Sequence, residues 1–215
     1  MFHRDYFMRM IEQMTQVVGQ VTGLRRERKH EEALYAIDEL LDRQFRLNGK
    51  LIRSLSDEDL IQMMTTNGVV ESPNIYAIAA LLKEEGDVYE EMGEGDKSYQ
   101  SHLKALHLFI RLAMLDNAPV INKPSEEAQK LLNKLSVYEL PSATKLLQLD
   151  WHEADGQYAL AENVLYELME DGVLGQEAAA EFYRRLLQVP DEQLLAGGLP
   201  REEIEESQSQ MAKLH

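Results

Sequence analysis

The sequence predicts an all-α fold, and three observations support this prediction. Apolar residues recur at three- and four-residue steps through most of the chain, as they do on the buried face of an amphipathic helix. Prolines, glycines and helix-capping residues fall between these stretches, where helices begin and end. No segment alternates apolar and polar residues over the length of a strand, and the valine pair at 69–70 is too short to count as one.

The first two helices are predicted from two apolar stripes. The first stripe consists of Phe7, Met10, Ile11, Met14, Val17, Val18 and Val21. The second stripe consists of Ala33, Ile37, Leu40, Leu41 and Leu47. Residues 27–32 are mostly charged and mark the turn between the two stripes. Ser56, with Asp59 three residues later, is an acidic variant of the capping box and predicts a third helix over about 56–66.

Prolines and glycines divide the rest of the chain into further helices. We expect these helices over residues 72–92, 96–117, 125–140, 141–155, 157–170 and 176–189. Ser72 is predicted to be the N-cap of the first of them, with Pro73 in its first turn. The helix over 96–117 is apolar nearly all round in its middle, so we expect it to be the most buried element. Residues 201–215 are acidic and sparse in apolar side chains, which predicts a weakly packed C-terminal helix or tail.

The composition excludes several kinds of site. The 215 residues include no cysteine, which excludes disulfides, zinc–thiolate sites and thiol nucleophiles, and which fits a reducing compartment. Charges at Arg4, Asp5 and Arg9 interrupt the start of the chain, so it lacks the apolar stretch of a secretory signal. No run approaches the roughly 18 apolar residues of a membrane span. A cytoplasmic protein without a membrane partner is therefore expected.

Negative charge is concentrated in the second part of the chain. The net charge is −16: residues 1–70 hold 10 basic and 11 acidic residues, whereas residues 71–215 hold 12 basic and 27 acidic ones. Such a surface repels phosphate backbones, so nucleic acid is not an expected partner. The one basic run contains Arg25, Arg26, Arg28 and Lys29. This run is either a small nucleic-acid patch or a set of cations that complement the dipole at the end of a helix, and the second interpretation is preferred.

A similar helix-to-helix turn occurs three times in the sequence. Each time, a small residue lies early in the second helix, at Ala33, Ser98 and Ala161, with separations of 65 and 63 residues. A small side chain at this position lets two antiparallel helices approach each other closely. A bulkier residue follows four positions later, at Ile37, His102 and Leu165.

These turns resemble those of tetratricopeptide (TPR) repeats, most closely in the middle unit. Four positions fit the TPR pattern, namely Gly86, Tyr89, Ser98 and Ala105. Four other positions depart from it, namely Leu82, Glu85, His102 and Ile110. The chain also resembles a group of uncharacterised bacterial helical proteins with a TPR-like core, and that likeness implies no function.

The resemblance implies an α–α superhelix of TPR-like helical hairpins. The units span about 64 residues rather than the usual 34, which implies an extra helix in each unit. The extra helices would lie over about 56–66, 125–140 and 176–189. We expect a single array over residues 1–200, with units of about 6–70, 71–140 and 141–195, followed by the segment 201–215.

The resemblance also implies a binding groove. TPR arrays bind extended peptides on a concave face, which is lined by the first helix of each pair. By register, this face would include Arg25, Lys83, Asp87, Glu90, Asp150 and Glu153. Four of these six residues are acidic, so the expected partner is a basic protein or peptide. The chain is therefore expected to be a non-catalytic intracellular interaction module.

Two other functions stay open. The first apolar stripe would form a structural homodimer, with Phe7, Met10 and Met14 at the contact, because terminal repeats must cover an exposed face. An enzyme is less expected, since the sequence has neither a nucleophile elbow nor a glycine-rich phosphate loop. No catalytic residue, cofactor or metal ligand is predicted.

Three histidines are not expected to be metal ligands: His152 is expected to pack, and His102 and His107 are expected to be satisfied core or interface histidines. His152 and Asp155 share a helix face, but two ligands do not make a metal site. His152 also falls where the TPR pattern has tyrosine, which is a packing position. His102 and His107 are five residues apart on one helix, so they point about 140° away from each other and cannot bind one ion together.

Overall fold

A computed structural model describes residues 2–45, 47–115 and 123–213, without the side chains of 2–11, 13 and 210–213, and this part of the chain is almost wholly helical. Its helices are α1 (Phe2–Arg26), α2 (His30–Phe45), α3 (Gly49–Ser54), α4 (Asp57–Met63), α5 (Ser72–Glu91), α6 (Gly95–Ala113), α7 (Pro124–Leu135), α8 (Ser142–Ala154), α9 (Tyr158–Glu170), α10 (Gln176–Leu186), α11 (Asp191–Ala196) and α12 (Arg201–Lys213). The all-α prediction is confirmed. Across the described residues, no helix is both long enough and apolar enough to span a membrane.

Of the two helix caps predicted from the sequence, one is found in the structure and one is not. The Ser56 hydroxyl accepts a hydrogen bond from the backbone N–H of Asp59 at 3.0 Å and begins α4 as predicted. The prediction that Ser72 is the N-cap of α5 is wrong, because Glu71 occupies that position and Ser72 already lies in the helix. The Glu71 carboxylate accepts from the side-chain amide of Asn74, while the Ser72 hydroxyl donates to the Val70 carbonyl.

A short hairpin precedes α5, which the sequence pattern did not predict. β1 (Thr65–Thr66) pairs antiparallel with β2 (Val69–Val70). Asn67 and Gly68 connect the two strands with φ angles of 52° and 77°, the conformation that Asn-Gly adopts in a tight hairpin turn. Strands of two residues are too short to show alternation, so the Asn-Gly pair was the usable signal.

The described chain forms two compact units, Met1–Tyr138 and Glu139–His215. In the first unit, α5 packs against α1, α2 and α6, and α6 packs in turn against α7. The prediction that α6 is the most buried element is wrong, because α5 has twelve buried residues and α6 has nine. Helices cover α5 on several sides, whereas Lys104, His107 and Arg111 leave one side of α6 half-exposed. The predicted division into three repeat units stays a prediction.

The second unit has its own apolar core, and α12 takes part in it. The core consists of Leu149, Tyr158, Ala161, Val164, Leu165, Leu168, Ala179, Phe182, Tyr183, Leu186, Leu194, Leu199 and Ile204. Ile204 of α12 is fully buried, and the Ser207 hydroxyl donates to Glu162. The C-terminal segment thus includes a helix, and Ile204 is its one buried side chain among those the structure describes; weak packing of the segment stays a prediction.

Candidate functional site

Helices α5 and α6 approach each other closely at Gly86. A Cβ atom on Gly86 would lie 2.4 Å from Cδ2 of His102, so no side chain fits there. His102 is 2% exposed, with Nδ1 3.3 Å from the Ser98 hydroxyl and Nε2 3.0 Å from Oδ1 of Asp87. The glycine and the small serine that resemble the TPR pattern thus make room for an imidazole ring that contacts a carboxylate.

Four carboxylates of α5 form what we call the α5 acidic cluster: Glu84, Asp87, Glu90 and Glu91. The Arg25 guanidinium of α1 contacts three of them, at 3.1 Å from Glu84, 3.2 Å from Asp87 and 2.8 Å from Glu91. Nζ of Lys134, near the end of α7, lies 2.5 Å from Oδ1 of Asp87 and 2.5 Å from Oε2 of Glu90. Helices α1 and α7 thus each supply one cation to the acidic face of α5.

The charges in this cluster stabilise one another. Burial opposes the ionisation of Asp87, but hydrogen bonds from His102 and Lys134 and the charges of Lys134 and Arg25 outweigh it. Together they hold the pKa of Asp87 well below its usual range. Burial and the charge of Asp87 raise the pKa of Glu84, although Arg25 offsets part of this effect. Burial lowers the pKa of Lys134 less than Asp87 and Glu90 raise it, so the lysine stays protonated.

Part of the cluster has the composition of a metal site. One ligand atom each of Asp87, Glu90 and His102 lies within 4.8 Å of the others, and a divalent first-row metal accepts such a set. The Lys134 ammonium already bridges the two carboxylates, and Arg25 takes the other oxygen of Asp87. A metal ion would have to displace both cations, so the arrangement fits an ion-pair network better than a metal centre.

The structure places the six predicted groove residues in two places. Arg25, Asp87 and Glu90 come together in the α5 acidic cluster. Lys83 lies on the same helix and pairs instead with Glu127 of α7 at 2.6 Å. In the second unit, Glu153 of α8 accepts two hydrogen bonds of 2.7 Å from Arg185 of α10, and Asp150 is exposed on the same helix.

Lys134 and Glu127 are the members of this region that sequence reasoning missed, whereas His102 was expected to be a satisfied core or interface histidine and is one. The TPR register indicated which side of α5 would be acidic, but not that a helix of the same unit contacts it. Helix α7, which the resemblance treated as extra, thus contacts the face of α5 that was predicted to line a groove.

Three residues were predicted to form the contact of a homodimer. The side chains of Phe7 and Met10 lie outside the described residues. Met14 is 9% exposed within the single chain. The homodimer stays a prediction.

His152 has the packing role that the sequence predicted. It is 3% exposed, and its ring stacks on that of Trp151 with centroids 4.7 Å apart. Burial lowers the pKa of His152 to about 4. Nδ1 of His152 and Nε1 of Trp151 have no hydrogen-bond partner among the described residues. An imidazole in this environment stays neutral near pH 7.

The comparisons with known proteins give a family and no relative of known activity. Neither the curated proteins nor the solved structures give a match to the chain. One family model matches, over residues 1–215, and the chain therefore belongs to the "Family of unknown function (DUF6483)".

Proposed function

We propose that the chain is a non-catalytic interaction module of TPR-like helical hairpins that binds a basic protein segment at the α5 acidic cluster. One observation carries the proposal: the cluster already holds a lysine ammonium, that of Lys134, between Asp87 and Glu90. In the proposal, Lys134 occupies the place of a lysine or arginine of the partner. The proposal places this binding in the cytoplasm, in keeping with the absence of cysteine.

The charges of the cluster favour a cationic ligand. Four carboxylates are contacted by two permanent cations, Arg25 and Lys134, with His30 3.3 Å from Glu91. The side chain of Glu90 is 57% exposed, so an incoming cation can reach it. The net charge of −15 on residues 71–215 would attract a basic partner from a distance.

Lys134 is also exposed enough to be displaced. Its side chain is 36% exposed, and exposed ion pairs contribute only about 0–1 kcal/mol to stability. A ligand lysine can therefore replace Lys134 at little cost to the fold. The cation of the partner would compete with Lys134 for Asp87 and Glu90. The cluster would therefore bind only ligands that also contact other residues of the chain.

The register of the helices agrees with this proposal. In TPR proteins, the first helix of each pair lines the binding face, and α5 is the first helix of the pair in which Gly86 and Ser98 fit the TPR pattern. Asp87 follows Gly86 directly on α5 and contacts His102 of α6. The close approach of the two helices at Gly86 therefore fixes the position of Asp87.

The experiment is a calorimetric titration of a lysine-rich peptide into the full chain and four variants. Lys134→Gln should bind the peptide more tightly than the unmodified chain, because it leaves Asp87 and Glu90 without their ammonium group. Glu90→Gln should bind it more weakly. The controls are Lys130→Gln, the same charge change one turn earlier on α7, and Glu94→Gln, an exposed acid after α5. Neither control should differ from the unmodified chain.

Two results would overturn the proposal. An equal gain in affinity in both lysine variants, with an equal loss in both acid variants, would mean that the peptide responds to net charge alone. An affinity that is unchanged in Lys134→Gln but lower in both acid variants would place the binding surface outside the cluster.

A further inference from the structure

A second charged feature lies at the junction of α1 and α2. A cleft of about 700 Å³ is lined by Thr22, Arg25, Arg26, Arg28, His30 and Glu91. Four of these six residues are basic types, in a chain whose net charge is −16. We call this feature the arginine cleft.

The arginines of the cleft differ in how they are held. Arg25 is fixed by its contacts with the α5 acidic cluster, and 19% of its side chain is exposed. Arg26 and Arg28 are exposed and form no ion pair within the described residues. Their neighbour Lys29 pairs with Glu27 at 2.7 Å and does not line the cleft. The cleft therefore has one arginine fixed in place and two whose guanidinium groups are open to an anion.

Arg28 occupies a backbone conformation that arginine rarely adopts. Its φ angle is 59°, in the left-handed region that favours glycine at helix ends. The turn closes α1 through hydrogen bonds from the N–H of Arg28 to the Arg25 carbonyl at 2.9 Å and from the N–H of Lys29 to the Leu24 carbonyl at 2.8 Å. Glycine would form the same turn with less strain. Strained residues of this kind concentrate at binding and catalytic sites.

We propose that the arginine cleft binds a small phosphate-bearing ligand. Guanidinium groups match the oxygens of a phosphate in geometry and donate two hydrogen bonds at once. The volume of the cleft falls in the range of small-molecule sites, about 300–1,000 Å³. A nucleic-acid polymer fits less well, because the acidic remainder of the chain would repel its other phosphates.

The test uses the full chain with inorganic pyrophosphate as the probe, measured by isothermal titration calorimetry. Arg28→Gly should lower the affinity about tenfold, the loss expected when one charge-assisted contact is removed. Arg26→Gln should do the same. The matched control is Lys29→Gln, which removes the same charge one residue from Arg28 and should leave the affinity unchanged.

A second measurement separates binding from folding. Arg28→Gly should raise the thermal midpoint of unfolding, because glycine removes the strain at φ 59°. Weaker pyrophosphate binding by a more stable protein cannot result from misfolding.

Three results would overturn the inference. They are the absence of heat on titration to millimolar pyrophosphate, equal losses in Lys29→Gln and Arg28→Gly, and a lower thermal midpoint in Arg28→Gly. A single-stranded oligonucleotide that binds as tightly as pyrophosphate would assign the cleft to nucleic acid instead. Arg25 stays unmodified in every variant because it also contacts the α5 acidic cluster.

Discussion

His102 in α6 and His152 in α8 are about equally buried, at 2% and 3% exposure, but their surroundings differ. His102 contacts the Ser98 hydroxyl and the Asp87 carboxylate, so both ring nitrogens have partners. His152 stacks on Trp151 and has one polar contact, between its Nε2 and the side-chain amide of Gln148 at 3.3 Å, while its Nδ1 has no partner among the described residues. Burial therefore does not decide what a histidine does in this chain. The first ring belongs to a charged network at the surface of α5, and the second belongs to apolar packing.

The largest expected effect concerns the space that His102 occupies. Gly86→Ala should destabilise the protein by about 3 kcal/mol, because a Cβ 2.4 Å from the His102 ring forces α5 and α6 apart. Chemical denaturation measures the change. The control is Gly19→Ala in α1, where a Cβ meets nothing within 4 Å, and this change should stabilise the protein by up to about 1 kcal/mol. If both variants are equally stable, α5 and α6 do not depend on this contact.

The next effect is the pH dependence that His152 imposes. Its pKa falls from an ordinary 6.5 to about 4, so folding favours the neutral ring. The free energy of unfolding therefore has its full value above about pH 6.5. It falls by roughly 2–3 kcal/mol in total as the pH drops to about 4. His152→Leu should flatten the curve of unfolding free energy against pH between these values. An unchanged slope in this variant would mean that another group titrates there.

The third effect compares two carboxylates that each contact a lysine. Asp87 is 18% exposed and accepts from His102, Lys134 and Arg25, whereas Asp171 is 42% exposed at Lys145. Asp87→Asn should cost about 2 kcal/mol, because the amide removes the negative charge and replaces one of the two acceptor oxygens with a donor group. Asp171→Asn should cost under about 0.5 kcal/mol, since Glu139 and Glu167 still contact Lys145. Equal costs from denaturant unfolding would contradict the distinction between the two sites.

The contrast between the two histidines also shows what the sequence could predict. Periodicity and caps identify the helices, because both depend on neighbours along the chain. Packing of His152 followed from its register against the TPR pattern. The contact between His102 and Asp87 could not be predicted in this way, because Asp87 lies fifteen residues earlier on another helix. Lys134 lies 47 residues from Asp87 along the chain, and only the packing of α7 brings the two together.

The left-handed Arg28 could not be predicted either. The backbone conformation at a helix end depends on where the following helix lies. An arginine at this position favours a negative φ angle, so the residue type does not indicate the left-handed conformation. The basic run was visible in the sequence. The sequence did not show that Arg25 is fixed by the α5 carboxylates, that Lys29 pairs with Glu27, and that Arg26 and Arg28 stay open.

The smallest expected effect on stability belongs to Lys134. Lys134→Gln should change the free energy of unfolding by less than about 1 kcal/mol, because this lysine is 36% exposed and Asp87 keeps Arg25 and His102. Denaturant unfolding of Lys134→Gln beside Lys130→Gln measures the difference between the two lysines of α7. The proposed function requires this small value, since a ligand can replace Lys134 only if the fold does not depend on it. A loss of about 3 kcal/mol would make Lys134 a structural residue like Gly86, and the α5 acidic cluster would then be closed to a partner.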